Sequence, residues 1–441
     1  GGGAGVLVPA PNTPARDTCY FFAGGAGALL VPPAARLLAG GAAAATPGAV
    51  LAGIPLAATP SPAGRAAIPL APSSSPLVAR LDDGVVDAYM DAVARLAPDR
   101  SARRVSIVYT AMHGVGAETL LRLFERAGFP PPHLVTEQAE PDPDFPTLAF
   151  PNPEEPGALD LALAEARRVG ADLVIANDPD ADRLAVAVPD ASPTGWRALT
   201  GDELGVLLAD HVLASGEGDD RLVATTVVSS SMLEHLARAA GVHHARTLTG
   251  FKWIVRAAER RPGTRFVYGY EEALGYAVGD VVRDKDGLSA ALVVAELAAL
   301  ERRRGRTLGD RIEALSRRFG LHATAQWSAR LDGPGARAAM AGAMAGLRAS
   351  PPASIGDRSV TAVEDLSEGR GDLPPADVLT FRLDGGARVV VRPSGTEPKL
   401  KAYLEVVLPV AAGRPVGEVR AEAARQLGEL RAGLGRVTGL L

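Results

Sequence analysis

This chain of 441 residues has a single cysteine, no long apolar run and no large excess of one charge sign. Cys19 is the only cysteine, which excludes an intramolecular disulfide and indicates a cytoplasmic location. No apolar run has the length needed to cross a bilayer, so we expect no membrane partner. The Ala- and Gly-rich start is interrupted by Pro9, Pro11 and Pro14 and does not read as a secretory leader.

The charges are nearly balanced: the formal net charge is -5, and both signs are mixed along the chain. This pattern predicts no nucleic-acid partner. Hydrophobic residues make up 47% and charged residues 22%, which is typical of a folded protein. Because single cores rarely grow past about 250 residues, we expect several domains. The chain begins at Gly1 without a methionine, and we expect truncation or processing there.

The most informative stretch has three carboxylates, Asp178, Asp180 and Asp182, at alternating positions after the apolar run 173–176. We predict that a buried strand ends here and that the following loop turns the carboxylates toward one point. Magnesium takes oxygen ligands and usually keeps some positions for water or phosphate, so the loop is a candidate Mg²⁺ site. Arg183 comes next, where it can bind a phosphate or hold an aspartate. A solvated acidic turn is the alternative interpretation.

Strand and helix patterns alternate around this stretch, as they do in layered α/β domains. A strand is predicted over 105–109, a helix over 117–127, and a second helix over about 159–169 that leads into the acidic loop. His113 lies in the first turn. It is either structural, bonding the backbone at a helix start, or catalytic.

A loop at a helix start, residues 247–252, precedes a predicted strand over 266–268. Two further loops follow that strand and combine glycine with polar side chains: residues 269–276 and the charged stretch 283–287. Glycine lets the backbone approach a ligand and the polar groups fix its hydroxyls, so these loops suit a sugar. An ordinary charged hairpin is the alternative for either loop alone. Thr249, Gly250, Phe251 and Lys252 lie in the first of these three stretches, Glu271 and Ala273 in the second, and Lys285 in the third.

A third signal follows the apolar run 389–391 near the end of the chain. A predicted strand delivers an arginine, two hydroxyls and backbone amides around a glycine, and then a lysine, which together form a cradle for a dianionic phosphate. A generic Ser-Gly turn is the alternative, and the flanking cations make it the weaker one. The residues of the cradle are Arg392, Ser394, Gly395, Thr396 and Lys401.

In this order, the loops resemble those of the α-D-phosphohexomutase superfamily, the phosphoglucomutases and phosphomannomutases, and most closely the branch with a Glu-Glu-Ala sugar loop. The resemblance covers roughly residues 101–441. It implies a multidomain α/β protein with three related α/β domains, the first incomplete, and a smaller C-terminal α+β domain. The expected divisions are 1–100 for the remnant of domain I, 101–199 for domain II, 200–319 for domain III and 320–441 for domain IV.

The resemblance also implies an activity, the interconversion of the 1- and 6-phosphates of glucose or mannose by an intramolecular phosphotransferase with Mg²⁺ as cofactor. It assigns Mg²⁺ to Asp178, Asp180 and Asp182, and the sugar hydroxyls to the loop 249–252 and to Glu271 with Ala273. It further implies that residues 392–396 bind the non-reacting phosphate. Lys285 matches a family lysine near the reacting phosphate.

The chain departs from the family at the position of the phosphoserine that donates the phosphoryl group. The family loop reads Thr-Ala-Ser-His-Asn-Pro, whereas residues 9–14 place Pro11, which has no hydroxyl, at the serine and Asn12 at the histidine. Phe21 replaces a family lysine, and Thr13 is a nearby hydroxyl restricted by flanking prolines. An inactive protein or fragment that still binds phosphosugar and Mg²⁺ is therefore the alternative. A metal-dependent phosphatase is less favoured because no general base is evident.

Overall fold

The computed structural model describes Ser75 and residues 81–192, 194–330, 335–394 and 399–439. Within these ranges the chain forms three β-sheets, two of them mixed and one antiparallel, each packed against helices. The predicted multidomain α/β fold class is thereby confirmed for the described part of the chain. The predicted remnant of domain I, including Pro11, and two cradle residues, Gly395 and Thr396, lie outside the described residues.

The first sheet has the strand order β2-β1-β3-β4-β5, in which β2, β1 and β3 are parallel and β4 and β5 antiparallel. Its central strands are buried on both faces, as their continuous apolar runs require. The predicted helices and strand agree with the observed ones within two residues. The elements are α1 (Gly84–Ala94), β1 (Ile107–Thr110), α2 (Gly116–Ala127), β2 (His133–Leu134), α3 (Asp160–Val169), β3 (Leu173–Asn177), β4 (Leu184–Pro189) and β5 (Trp196–Ala198).

The second sheet repeats this plan, with the order β7-β6-β8-β9 and an antiparallel hairpin formed by β8 and β9. The strand predicted over 266–268 is longer than expected, because Tyr268 and Tyr270 are both buried in the core. Glu271 therefore ends a strand instead of lying within a loop. The elements are α4 (Gly201–Ser215), β6 (Arg221–Thr226), α5 (Met232–Ala239), β7 (His243–Thr247), α6 (Phe251–Ile254), β8 (Arg265–Glu271), β9 (Gly275–Val278), α7 (Gly287–Arg303) and α8 (Leu308–Phe319).

The third sheet is antiparallel with the order β10-β15-β14-β13-β12-β11. Alternate residues of its strands pack on the helices of this unit, and the residues between them point away from that core. The elements are β10 (Leu321–Arg330), α9 (Ala336–Ala349), β11 (Ser354–Ile355), β12 (Arg358–Asp365), β13 (Leu379–Leu383), β14 (Arg388–Pro393), β15 (Lys399–Leu408) and α10 (Val416–Thr438).

Helix α7 joins the first two sheets, because its residues 287–301 are all buried and it packs against β3, β4 and β9. A helix that is apolar on all sides is stable only when enclosed in this way. Among the helices of the described ranges, none has both the length and the apolar character to cross a bilayer.

A buried ion pair fastens the third sheet to the second. Glu405 of β15 pairs with Arg388 of β14 at 2.5 Å (Nε to Oε2) and accepts a hydrogen bond from the Ser230 hydroxyl at 2.8 Å. Arg388 also donates to the Val227 carbonyl at 3.1 Å. Because these groups are removed from water, loss of either partner would be costly.

Candidate active site

The acidic loop connects the antiparallel strands β3 and β4. Its three carboxylates, Asp178, Asp180 and Asp182, each place an oxygen within 4.8 Å of the others. Ala181 has a left-handed backbone conformation (φ 59°) that turns the chain between the second and third carboxylates. The structure thus brings together the three residues that the sequence assigned to a metal.

Two cations compensate this acidic loop. Arg183 donates from Nε to Oδ2 of Asp178 at 2.6 Å and from its backbone N–H to Oδ1 at 2.9 Å. Lys285 places its Nζ 2.6 Å from Oδ2 of Asp182. Partial burial and the neighbouring charges of Asp178 and Asp182 raise the pKa of Asp180 to about 7. A hard divalent cation would relieve this repulsion, so the donor set fits Mg²⁺.

Buried polar groups hold the acidic loop in shape. Tyr109 donates to Oδ1 of Asn177 at 3.0 Å, and the Asn177 amide donates to the Arg183 carbonyl at 2.6 Å. Asn177 is fully buried and ends β3 immediately before the first carboxylate. This bracing was not predicted from the sequence, because Tyr109 lies 68 residues from its partner.

The two predicted sugar loops contact each other. The Gly250 N–H donates to Oε1 of Glu271 at 2.6 Å, and Gly250 has a φ of 110°, which favours glycine. Burial raises the pKa of Glu271 above its ordinary value. The hydrogen bond from Gly250 and the charges of Lys285 and Arg392 offset part of that rise. Glu271 therefore lies within electrostatic range of both the acidic-loop lysine and the phosphate-cradle arginine.

The other sugar-loop residues differ in exposure. Phe251 is buried, whereas Lys252 and Ala273 are exposed and Thr249 is partly so. Lys252 extends over the ring of Trp253 at 5.7 Å. The exposed members are accessible to a ligand, and Phe251 supports the loop from the core side.

The described part of the phosphate cradle lies on β14 and β15. Arg392 and Lys401 are paired across these strands, so their side chains lie on the same face. Arg392 donates from Nη1 to the Tyr403 hydroxyl at 3.5 Å. The Ser394 N–H donates to the Lys399 carbonyl at 2.8 Å, which closes the base of the loop.

A proline-rich segment between α2 and α3 contributes residues that the sequence reasoning missed. Asn152 accepts a hydrogen bond from Nη1 of Arg183 at 3.0 Å. Burial raises the pKa of Glu154 above its ordinary value, and the charges of Arg183 and Lys401 offset part of that rise. This segment therefore lies between the acidic loop and the phosphate cradle. Beside it, a cavity of about 430 Å³ opens between the three sheets, with Glu154, Asp202 and Tyr403 in its walls.

The distribution of lysine was an overlooked signal. Of the 46 basic residues in the chain only four are lysines, and all four lie in or beside the predicted loops: Lys252, Lys285, Lys399 and Lys401. The other basic residues, counting lysine and arginine, are all arginines. A compact, mobile ammonium at these positions suits a site that exchanges ligands, because it is a point charge on a flexible stem.

His113 has the contacts of a structural histidine. It is 4% exposed, and its Nε2 lies 2.8 Å from the Thr147 hydroxyl. Its backbone N–H and carbonyl bond Gln138 and Asp142. These contacts favour the structural interpretation over the catalytic one.

Fold and site together define a class: a multidomain α/β protein with a three-carboxylate loop on the first sheet, two glycine-containing polar loops in contact on the second, and a pair of basic residues on the third. Three family models match the chain in the same order. They are phosphoglucomutase/phosphomannomutase alpha/beta/alpha domain II over residues 87–192, domain III over 200–319, and the C-terminal domain over 355–423. The chain belongs to the phosphoglucomutase/phosphomannomutase family, and the predicted resemblance is confirmed.

Similar proteins carry several mutase names. A Haemophilus influenzae protein named "Probable phosphomannomutase" is 42% identical over 327 residues, 74% of this chain. A "Probable phosphoribomutase" of Schizosaccharomyces pombe is 38% identical over 68% of the chain, and human "Phosphopentomutase" 34% identical over 76%. The chain spans 64%, 55% and 59% of the lengths of these relatives, respectively.

Solved structures share the fold at lower identity. The Paramecium phosphoglucomutase pp63/parafusin in its open form has a TM-score of 0.57 at 19% identity, with 81% of this chain and 62% of that chain covered. A phosphoglucomutase/phosphomannomutase family protein of Burkholderia thailandensis has a TM-score of 0.55 at 21% identity, covering 80% and 64%. At these identities the likeness concerns the fold alone.

Proposed function

We propose that this chain carries the Mg²⁺ and phosphosugar site of a phosphosugar mutase, an intramolecular phosphotransferase. One observation carries the proposal: Lys285 pairs with Asp182 of the acidic loop at 2.6 Å, and the charges of Lys285 and Arg392 both act on Glu271. A sugar bisphosphate needs a cation for each phosphate and acceptors for its hydroxyls, and these residues supply both. We also propose that segments 101–199, 200–319 and 320–441 act as separate domains around it.

The substrate class is a phosphorylated aldose. The loops resemble those of hexose phosphate mutases, and the relatives named phosphoribomutase and phosphopentomutase extend the class to pentose phosphates. Arg392, Ser394 and Lys401 would hold the non-reacting phosphate, with Gly395 and Thr396 completing the cradle. Glu271 would accept a sugar hydroxyl, and the loop 249–252 with Ala273 would shape its surroundings. A cytoplasmic location stays a prediction from the single cysteine.

Charge neutralisation is the main contribution of these side chains to phosphoryl transfer, in which positioning and electrostatics dominate. A bound Mg²⁺, held by Asp178, Asp180 and Asp182, would supply Lewis acidity toward phosphate oxygens. Lys285 would move from Asp182 to the reacting phosphate and offset its charge. Arg183 would keep Asp178 oriented, because it binds both oxygens of that carboxylate.

A second function, binding without turnover, is favoured by Pro11, which stands where the family has its phosphoserine. Proline offers no oxygen to carry a phosphoryl group, so the transfer would lack its donor. Under this alternative the same contacts bind Mg²⁺ and sugar phosphate and release them unchanged.

Product formation and binding distinguish the two functions. The chain is incubated with Mg²⁺, a sugar 1,6-bisphosphate and the 1-phosphate of glucose or mannose, or with the ribose analogues, and products are followed by ³¹P NMR. Conversion to the terminal phosphate supports the mutase. Calorimetric binding without conversion supports the binding protein. Absence of both heat and product contradicts the assignment of the site.

A further inference from the structure

Tyr89 of helix α1 makes a contact that connects this helix with the candidate active site. Its hydroxyl lies 2.9 and 3.1 Å from the two carboxylate oxygens of Asp286, which is 197 residues away in the chain. Tyr89 is 7% exposed and Asp286 8% exposed, so water competes little for the interaction. A buried carboxylate needs such donors, because its desolvation is costly.

Asp286 is the N-cap of helix α7. Its Oδ1 accepts from the Leu288 N–H at 3.1 Å, and its own N–H donates to the Tyr276 carbonyl at 2.8 Å. The residue is therefore fixed to the second sheet and to α7 at once. The Tyr89 hydroxyl adds a third anchor, from helix α1, which packs against α2 and α7.

The residues on either side of Asp286 contact the acidic loop. Gly287 donates from its N–H to the Ala181 carbonyl at 3.1 Å and packs so closely that a Cβ would lie 2.4 Å from the Arg183 carbonyl oxygen. Lys285 forms its 2.6 Å ion pair with Asp182. A shift of Asp286 would therefore displace both the lysine and the backbone contact of the loop.

We propose that Tyr89 is a positioning residue, which acts through Asp286 to hold Lys285 against the acidic loop. In the described part of the chain, the Tyr89 hydroxyl bonds Asp286, which is neither a proposed metal ligand nor a proposed sugar-binding residue. It fixes the carboxylate of Asp286, which directly follows Lys285 and is the N-cap of α7. This inference deepens the proposed function and rests on it for the role of Lys285 toward phosphate.

A matched pair of variants separates positioning from general stability. Tyr89→Phe removes the hydroxyl that bonds Asp286. Tyr268→Phe removes a hydroxyl from another buried tyrosine, on the second sheet, whose hydroxyl donates at 2.8 Å to the Gly205 carbonyl. Both changes delete one buried hydrogen bond, and only the first concerns the lysine loop.

Lysine acylation measures the position of Lys285 without any metal or substrate. The full chain is treated with acetyl N-hydroxysuccinimide ester, and mass spectrometry follows each of the four lysines. We expect Lys285 to react several-fold faster in Tyr89→Phe than in wild type or Tyr268→Phe, while Lys252, Lys399 and Lys401 keep their rates. An unchanged Lys285 rate in folded Tyr89→Phe overturns the proposal.

A second variant and a second readout complete the test. If all four lysines of Tyr89→Phe react faster, the variant has unfolded, and Asp286→Asn, which keeps an oxygen to cap α7, replaces it under the same criterion. Mn²⁺ affinity by electron paramagnetic resonance should fall roughly tenfold in Tyr89→Phe and not in Tyr268→Phe. Wild-type protein that binds no Mn²⁺ contradicts the metal assignment of the proposed function, and the acylation result still decides the role of Tyr89.

Discussion

Individual carboxylates in this protein are placed in contrasting environments. Asp178 and Asp182 face cations at 2.6 Å, whereas Asp202, at the start of α4, is 5% exposed and accepts hydrogen bonds from the Ser230 N–H at 2.6 Å and the Tyr270 hydroxyl at 3.0 Å. Burial without a cation raises the pKa of Asp202 to about 7. Asp202 is therefore a buried carboxyl group that titrates near neutral pH.

Asp202 should make stability depend on pH. Because its folded pKa lies above the ordinary value of 3.8, its contribution is present at low pH and is lost as pH rises through 7. Between pH 5 and pH 8 the wild type should lose about 2 to 3 kcal/mol of unfolding free energy that Asp202→Asn does not lose. Urea unfolding at both pH values measures this. Asp144→Asn, at an exposed position, is the control; parallel pH profiles for wild type and Asp202→Asn would contradict the expectation.

At the scale of elements, the two hairpins β3-β4 and β8-β9 place the functional loops, and both meet the start of α7. Contiguous patterns were predictable from the sequence, such as the acidic run after the strand ending at Asn177 and the basic residues that follow the apolar run 389–391. The contacts of Asn152 with Arg183 and of Tyr89 with Asp286 were not predictable. Their partners are 31 and 197 residues apart, and no local periodicity encodes such pairs.

The close packing of Gly287 on the acidic loop gives a prediction for α7. A Cβ there would lie 2.4 to 2.7 Å from the Arg183 carbonyl, the Asn177 amide and the Ala181 carbonyl, so Gly287→Ala should force backbone movement and cost about 1 to 3 kcal/mol of unfolding free energy. Thermal unfolding measures the change. Gly428→Ala, in the exposed face of α10 with no atom within 4 Å, should instead stabilise by up to about 1 kcal/mol. Equal effects of the two substitutions would refute the packing argument.

At the scale of the whole molecule, the buried pair of Arg388 and Glu405 fastens the phosphate cradle's sheet to the sheet with the sugar loops. Burial alone would raise the pKa of Glu405, but Arg388 and the hydrogen bond with His322 hold it well below its usual range. A lowered carboxyl pKa contributes stability that is present above about pH 4.5 and is lost as pH falls.

Breaking this pair should loosen the third sheet. Arg388→Met leaves Glu405 buried without its arginine, with hydrogen bonds to Ser230, Ser231 and His322 alone, which we expect to cost about 3 to 5 kcal/mol of unfolding free energy at pH 7 and less in acid. The double variant Arg388→Met with Glu405→Met should recover most of that loss, because no buried charge remains. Chemical unfolding of the two variants and the wild type measures the coupling. A double variant as unstable as Arg388→Met would show that the charge pair is not what holds the sheets.

Binding of a sugar phosphate with Mg²⁺ tests the central claim most directly. Calorimetric titration of glucose 1-phosphate into the chain in the presence of Mg²⁺ should release heat that Asp180→Ala abolishes and that Asp144→Ala, at an exposed position outside the acidic loop, retains. Identical heats for wild type and Asp180→Ala would contradict the assignment of the acidic loop to the metal, and no heat for wild type would contradict the assignment of the site to a phosphorylated sugar.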